Sequence, residues 1–212
     1  MDSGSSAPLS GRRAQAARND ERILDAARAV FVTDPDAPIS AVAKRAEVGI
    51  SALYRRYGSK EELLRRLCAD GLKRYIAAAE AALADTSDPW TAFTGFMRRV
   101  VDADTHSLTL RLAGLFTPTD DLRRAAGEAQ DLTLRLVERT KAAGAIRADV
   151  TADDLSFVFE QLAAIRVDGE QRTGQLRHRY LALQLDALHN ASTTALPGPP
   201  PSWEEVSQRW ET

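Results

Sequence analysis

The stretch from Ala37 to Leu67, APISAVAKRAEVGISALYRRYGSKEELLRRL, restricts the possible folds of this chain more than any other part. Ile39, Val42, Ala43 and Ala46 recur at intervals of three and four, the spacing of one face of a short helix. Glu47-Val48-Gly49 breaks that pattern within three residues, and glycine can take up backbone angles that other residues avoid. A further short helix is predicted over Ile50–Tyr57. Two short helices joined by so tight a turn predict a helix-turn-helix, with Ala43, Val48 and Leu53 packing the pair together. Gly58-Ser59 then opens a long fourth helix. Ser59 can cap it, and Glu62, three residues on, can complete a capping box. Its buried face is expected at Leu63, Leu64, Leu67, Leu72, Tyr75 and Ile76.

In such a pair the second helix enters the major groove of DNA. Its outward residues are expected to be Ile50, Ser51, Ala52, Tyr54, Arg55 and Arg56, preceded by Gly49 at the turn and joined by Ser40 on the helix before it. An arginine there can pair with guanine through two hydrogen bonds or neutralise a phosphate. Tyr54 and Tyr57 combine packing with a hydroxyl that can reach a phosphate oxygen. Lys60, at the start of the fourth helix, is expected to act as a phosphate clamp. Charge distribution agrees with this assignment. Residues 11–75 carry 14 basic and 9 acidic side chains, although the chain as a whole has a net charge of −2.

Upstream, Met1–Gly11 reads as disordered, and residues 1–18 as a flexible arm made basic by Arg12, Arg13 and Arg18. A first helix is expected from about Asp20, with Ile23, Ala26, Ala27, Val30 and Phe31 on one face, ending at Asp34-Pro35-Asp36-Ala37-Pro38. The DNA-binding domain is thus placed at 19–66. Downstream, helices are expected at about 89–105, 107–115, 119–143, 151–168 and 174–191, with start signals at Thr117–Asp120 and Thr151–Asp154 and a stop at Gly144. These form a body over 67–195. The proline-rich end, 196–212, is an extended linker with a short helix, docked or frayed, at Trp203–Trp210. No segment alternates as strands do, and the fold class is all-α with about nine helices.

Composition narrows the function. At 44% hydrophobic and 27% charged residues the chain is a globular one. Its single cysteine, Cys68, rules out an intramolecular disulfide, and no apolar run reaches a membrane span, so a cytoplasmic location away from the membrane is expected. His106, His178 and His189 are scattered, and no phosphate loop, nucleophile elbow or Cys/His cluster is present. Neither an enzyme nor a metal or cofactor protein is therefore expected. The alternative left by the residues alone is a helical protein-interaction module, or an enzyme, that does not bind DNA.

The spacing A-x-x-A-x-V-x-x-x-x-L-Y-x-x-Y-x-S-K-E-x-L, from Ala43 to Leu63, resembles the DNA-binding domain of TetR-family (tetracycline-repressor-like) regulators. The Leu53–Glu61 element is its most specific part, and the likeness covers about residues 20–75. The resemblance implies a homodimer, each subunit offering one head to a double-stranded operator, and a helical body that holds a small-molecule effector. It implies a repressor, released from a palindromic operator when the effector binds. Two positions depart from the family pattern: Glu47 stands where glycine is usual, and Gly49 where a Ser or Thr cap is usual.

In the body, Leu155, Val158, Phe159, Leu162 and Ile165 form one broad apolar band. The last long helix has two apolar faces, Leu176, Tyr180, Leu183 and Ala187 on one and Leu181, Leu185 and Leu188 on the other. A helix that is apolar on both sides needs partners on both, which a two-fold four-helix bundle supplies. Phe159, Leu162, Arg166, Leu181, Leu185 and Leu188 are the expected dimer contacts. An effector pocket, largely apolar, is expected from Phe93, Phe96, Met97, Val100, His106, Leu112, Phe116, Leu134, Phe157 and Gln161.

Overall fold

A computed structural model describes residues 7–112, 114–189 and 194–208. Among the described residues there are ten helices: α1 (Ala7–Thr33), α2 (Ile39–Arg45), α3 (Ile50–Tyr57), α4 (Lys60–Ala84), α5 (Pro89–Asp102), α6 (Thr105–Leu112), α7 (Asp120–Ala142), α8 (Ala152–Ala164), α9 (Glu170–Leu188) and α10 (Trp203–Ser207). Among the described residues the one β-type pairing is an isolated bridge between Ile146 and His189. The chain divides into two compact units, Met1–Leu67 and Cys68–Thr212.

Helix α1 starts at Ala7, well before the Asp20 expected from the apolar pattern. The reason is intrinsic: Ala14, Gln15, Ala16, Ala17 and Arg18 are strong helix formers and favour extension of the helix through propensity. The expected basic arm is therefore helical from Ala7 onward, and Met1–Ser6 lie outside the described residues. In the first unit, Ile23, Leu24, Ala27 and Phe31 of α1, Val42 and Ala43 of α2, Leu53 of α3 and Leu63, Leu64 and Leu67 of α4 are buried. All but Leu24 are residues the helical spacing placed inside, whereas Val30, also expected there, is half-buried.

The caps follow the residues that favour them. Thr119 accepts from the Leu122 amide at the start of α7, and Thr151 and Asp154 form a reciprocal capping box on α8. Ser59 accepts from the Glu62 amide at 3.1 Å. The Glu62 carboxylate turns to Arg65 (3.3 Å) instead of closing the box. The predicted tail helix is present as α10, capped by Ser202 and Glu205, and it packs on α8. Residues 209–212 lie outside the described residues.

In the second unit, Phe93, Phe96 and Met97 of α5, Leu136 and Val137 of α7, Leu155 and Phe159 of α8 and Leu181 of α9 build one core. Buried Thr133 and Thr140 donate their hydroxyls to the carbonyls of Ala129 and Leu136, each at 2.7 Å, so neither hydroxyl is stranded. Arg139 donates to the carbonyls of Ala82, Leu83 and Asp85 and thereby closes the C-terminal end of α4.

Candidate DNA interface and effector site

Helix α3 is held by two side chains. Leu53 and Tyr57 are buried beneath it, while Ile50 (43% exposed), Ser51, Ala52, Tyr54 (47%) and Arg55 face outward. Arg55 makes no hydrogen bond or ion pair to any described residue. Gly49 is the N-cap of α3, with no side-chain cap, and the space where a Cβ would sit is open to 4 Å. Uncapped amides at a helix start facing open space are suited to a phosphate. Ser40 is exposed on α2, as are Lys44 and Arg45 at its end. The sequence reading passed over these last two, although a Lys-Arg pair just before the turn was a usable signal.

Three expected DNA contacts are engaged elsewhere. Arg56 grips the Asp20 carboxylate of α1, its Nε donating to Oδ1 at 2.8 Å and its Nη2 donating to Oδ2. This hydrogen bonding holds the Asp20 carboxyl below its ordinary range. Tyr57 is buried, its hydroxyl pointing towards Asp20, and burial pushes its phenol upward. Lys60 donates from Nζ to the Pro35 carbonyl at 2.8 Å and lies 5.2 Å from the centre of the Phe31 ring. Arg56 and Tyr57 are thus engaged by α1, and Lys60 by the Phe31 ring of α1 and the loop that follows it.

The turn itself is braced. Glu47 has φ 55°, in the left-handed region that favours glycine. Arg22 donates to the Ala46 carbonyl at 2.9 Å and pairs with Glu47 at 3.5 Å, so α1 holds the turn from outside.

In the second unit, Phe93, Phe96, Met97, Val100, Leu112 and Phe116 are buried, and Phe157 is half-buried. Leu134 is 49% exposed, because it lies about 200° around α7 from buried Leu132. It does not line an interior cavity in this subunit. Gln161 is exposed, and its carbonyl accepts from Gln184. His106 is half-buried, its ring centre 4.7 Å from that of Phe159. It borders a cavity of about 10 Å³ together with Val100, Asp104, Phe159, Leu162 and Arg177. That volume suits one water, far below the roughly 300 Å³ of a typical ligand pocket.

Five of the expected dimer contacts lie in the core of the single chain: Phe159 and Leu162 of α8, which packs on α5, α6, α7 and α9, and Leu181, Leu185 and Leu188 of α9, which packs on α5 and α8. Arg166 is exposed. The apolar face left uncovered on α9 is the other one, Tyr180 (47% exposed), Leu183 (56%) and Ala187.

Residues 23–67 match the family described as bacterial regulatory proteins, tetR family, and residues 88–190 match the transcriptional regulator SbtR-like C-terminal domain. The chain belongs to the TetR family. It is a DNA-binding transcriptional regulator with the all-α TetR-like fold and not an enzyme. Among solved TetR-family structures it is similar to a regulator from Streptomyces coelicolor, at 26% identity over 82% of this chain and 99% of that one, with a TM-score of 0.57. A regulator from Mycobacterium vanbaalenii is 27% identical over 84% of this chain and 98% of its own, with a TM-score of 0.56. The fold is also that of the TetR-like regulator LfrR from Mycobacterium smegmatis, solved in complex with proflavine. LfrR shares 21% identity over 85% of this chain and 99% of its own, with a TM-score of 0.61. Comparison with curated proteins gives no match. No helix among the described residues of this TetR-family chain is long and apolar enough to cross a membrane.

Proposed function

We propose that this regulator acts in the cytoplasm as a homodimeric repressor, binding a palindromic operator and leaving it when a small, largely apolar effector enters the second unit. The observation that carries the DNA reading is α3: Leu53 and Tyr57 anchor it, while Ile50, Ser51, Ala52, Tyr54 and Arg55 stand outward beside the open, uncapped Gly49. Arg55 reads a base or a phosphate. Lys44, Arg45 and Ser40 flank it on the backbone. Arg56, Tyr57 and Lys60 act as positioning residues, since each directs a polar atom to Asp20 or Pro35.

The exposed Tyr180–Leu183–Ala187 face of α9 supports pairing of two copies, because exposed apolar side chains this large on one helix face mark an interface. The small cavity beside Phe159 and His106 supports an effector site, and LfrR, with the same fold, is solved with a small molecule bound. Effector binding releases DNA by favouring a conformation in which the two heads no longer match successive half-sites.

Selection from random DNA, followed by titration of the selected site, tests the reading. The expected result is a symmetric site whose affinity falls about 10- to 100-fold with Arg55→Ala, the cost of losing one two-pronged arginine contact. Recovery of no symmetric sequence, or an Arg55→Ala variant that binds like the parent, overturns it.

A further inference from the structure

Arg177 is the most deeply buried cation among the described residues of the second unit. From α9 it reaches the end of α8, donating to the carbonyls of Ala163 (3.0 Å) and Ile165 (3.2 Å). Its Nη1 donates to Asp104 Oδ1 at 2.6 Å. Asp104 sits in the short break between α5 and α6 with φ 49°, a backbone conformation that L side chains adopt at a cost. Its carboxylate is partly open to solvent, at 28%, while Arg177 is at 9%. Asp104 therefore lines the cavity from its partly exposed side, in a left-handed turn and bonded to the buried cation.

The inner wall is aromatic. Phe159 borders the cavity, with His106 tilted over it at 4.7 Å and Phe96 and Tyr75 edge-on behind at 6.1 and 6.4 Å. Thr105, next in the chain after Asp104, packs against Gly71 of α4.

We infer that this is the effector site and that it takes an aromatic carboxylate, whose anionic head replaces Asp104 on Arg177 while its ring displaces His106 from Phe159. The inference rests on the reading above that the second unit receives a small effector. The exchange swaps one carboxylate for another, so the buried guanidinium is never left without a counter-charge. A neutral ligand making the same move strands that charge and is penalised. Release of Asp104 also relaxes its strained turn, and the motion passes through Thr105 to α4.

The test is calorimetric titration of the full chain with benzoate, phenylacetate and 2-naphthoate, each beside its primary amide, together with release from the selected operator. At least one acid is expected to bind at least tenfold more tightly than its amide. Asn tolerates the left-handed turn, so Asp104→Asn removes only the competing charge and should tighten that acid about tenfold, the scale of one charge-assisted hydrogen bond. Arg177→Gln should abolish binding. Amides that bind as well as their acids, no acid bound by the Asp104→Asn chain, or an affinity unchanged by Asp104→Asn would each overturn the inference. If amides alone release the operator, the carboxylate assignment is wrong and the effector reading survives. If acids bind through Arg177 and no compound releases DNA, the site stands and the effector reading fails.

Discussion

Arg56 of α3 holds Asp20 of α1 through two parallel hydrogen bonds, so a side chain on the DNA-reading helix orients that helix against α1. Asp20→Ala and Arg56→Ala should each destabilise the head by about 1 kcal/mol or less, since Arg56 is more than half exposed and screened by solvent. The double variant should cost little more than either single one, as expected for two residues acting through one contact. Additive losses in chemical denaturation would show that they act separately. The pH sign follows from the lowered Asp20 carboxyl. The pair's contribution is complete above the ordinary aspartate pKa of 3.8 and disappears as pH falls through the lower folded value. Below that point the Asp20→Ala and parent chains should converge in stability.

Glu47 holds a left-handed backbone that costs about 1 kcal/mol for a residue with a Cβ. Its ion pair to Arg22 is long and exposed, so it returns little. Glu47→Gly should raise the thermal midpoint and, by removing a negative charge from the turn, tighten DNA binding. A lower midpoint would mean that the Arg22 contact outweighs the strain.

Leu183 is the large apolar side chain most exposed on α9. Covering what is still exposed of it in a dimer contributes on the order of 1–1.5 kcal/mol per copy. Leu183→Glu should therefore shift the sedimenting species from twice the 23.1 kDa chain mass towards the monomer. Leu181→Ala, by contrast, should lower stability without being selective for dimerisation, because Leu181 is core. Monomers from Leu181→Ala and dimers from Leu183→Glu would reverse the assignment of faces.

Burial pushes the Cys68 thiol up to about 12. The half-buried thiol stays protonated at pH 8, so the native chain should react slowly with a disulfide reagent, and guanidinium should accelerate labelling strongly. Prompt labelling of the folded protein would contradict that burial.

The helices and their buried faces could be read from the sequence because apolar spacing, caps and breakers are local signals. Ile39, Val42, Leu53 and Leu63 needed nothing beyond their own neighbours. The roles of Arg56 and Lys60 were not legible, because their partners, Asp20 and Pro35, come from distant parts of the chain. The two apolar faces of α9 are visible in the sequence, but which one turns inward depends on α5 and α8, so buried Leu181, Leu185 and Leu188 could not be told from exposed Tyr180, Leu183 and Ala187. Leu134 misled for a similar reason: a leucine among leucines looks like core until the turn of the helix is counted. The early start of α1 was hidden because alanine and glutamine extend a helix through propensity, which leaves no apolar stripe to read.

On the effector reading proposed above, a cavity with room for one water molecule fixes the response threshold by the work of making space. The responding dose is then the intrinsic affinity divided by the small fraction of molecules standing open. Packing around the fully buried Phe96 and Met97 becomes a dial on sensitivity. Evolution can retune the response there while leaving both the reading helix and the recognition chemistry untouched.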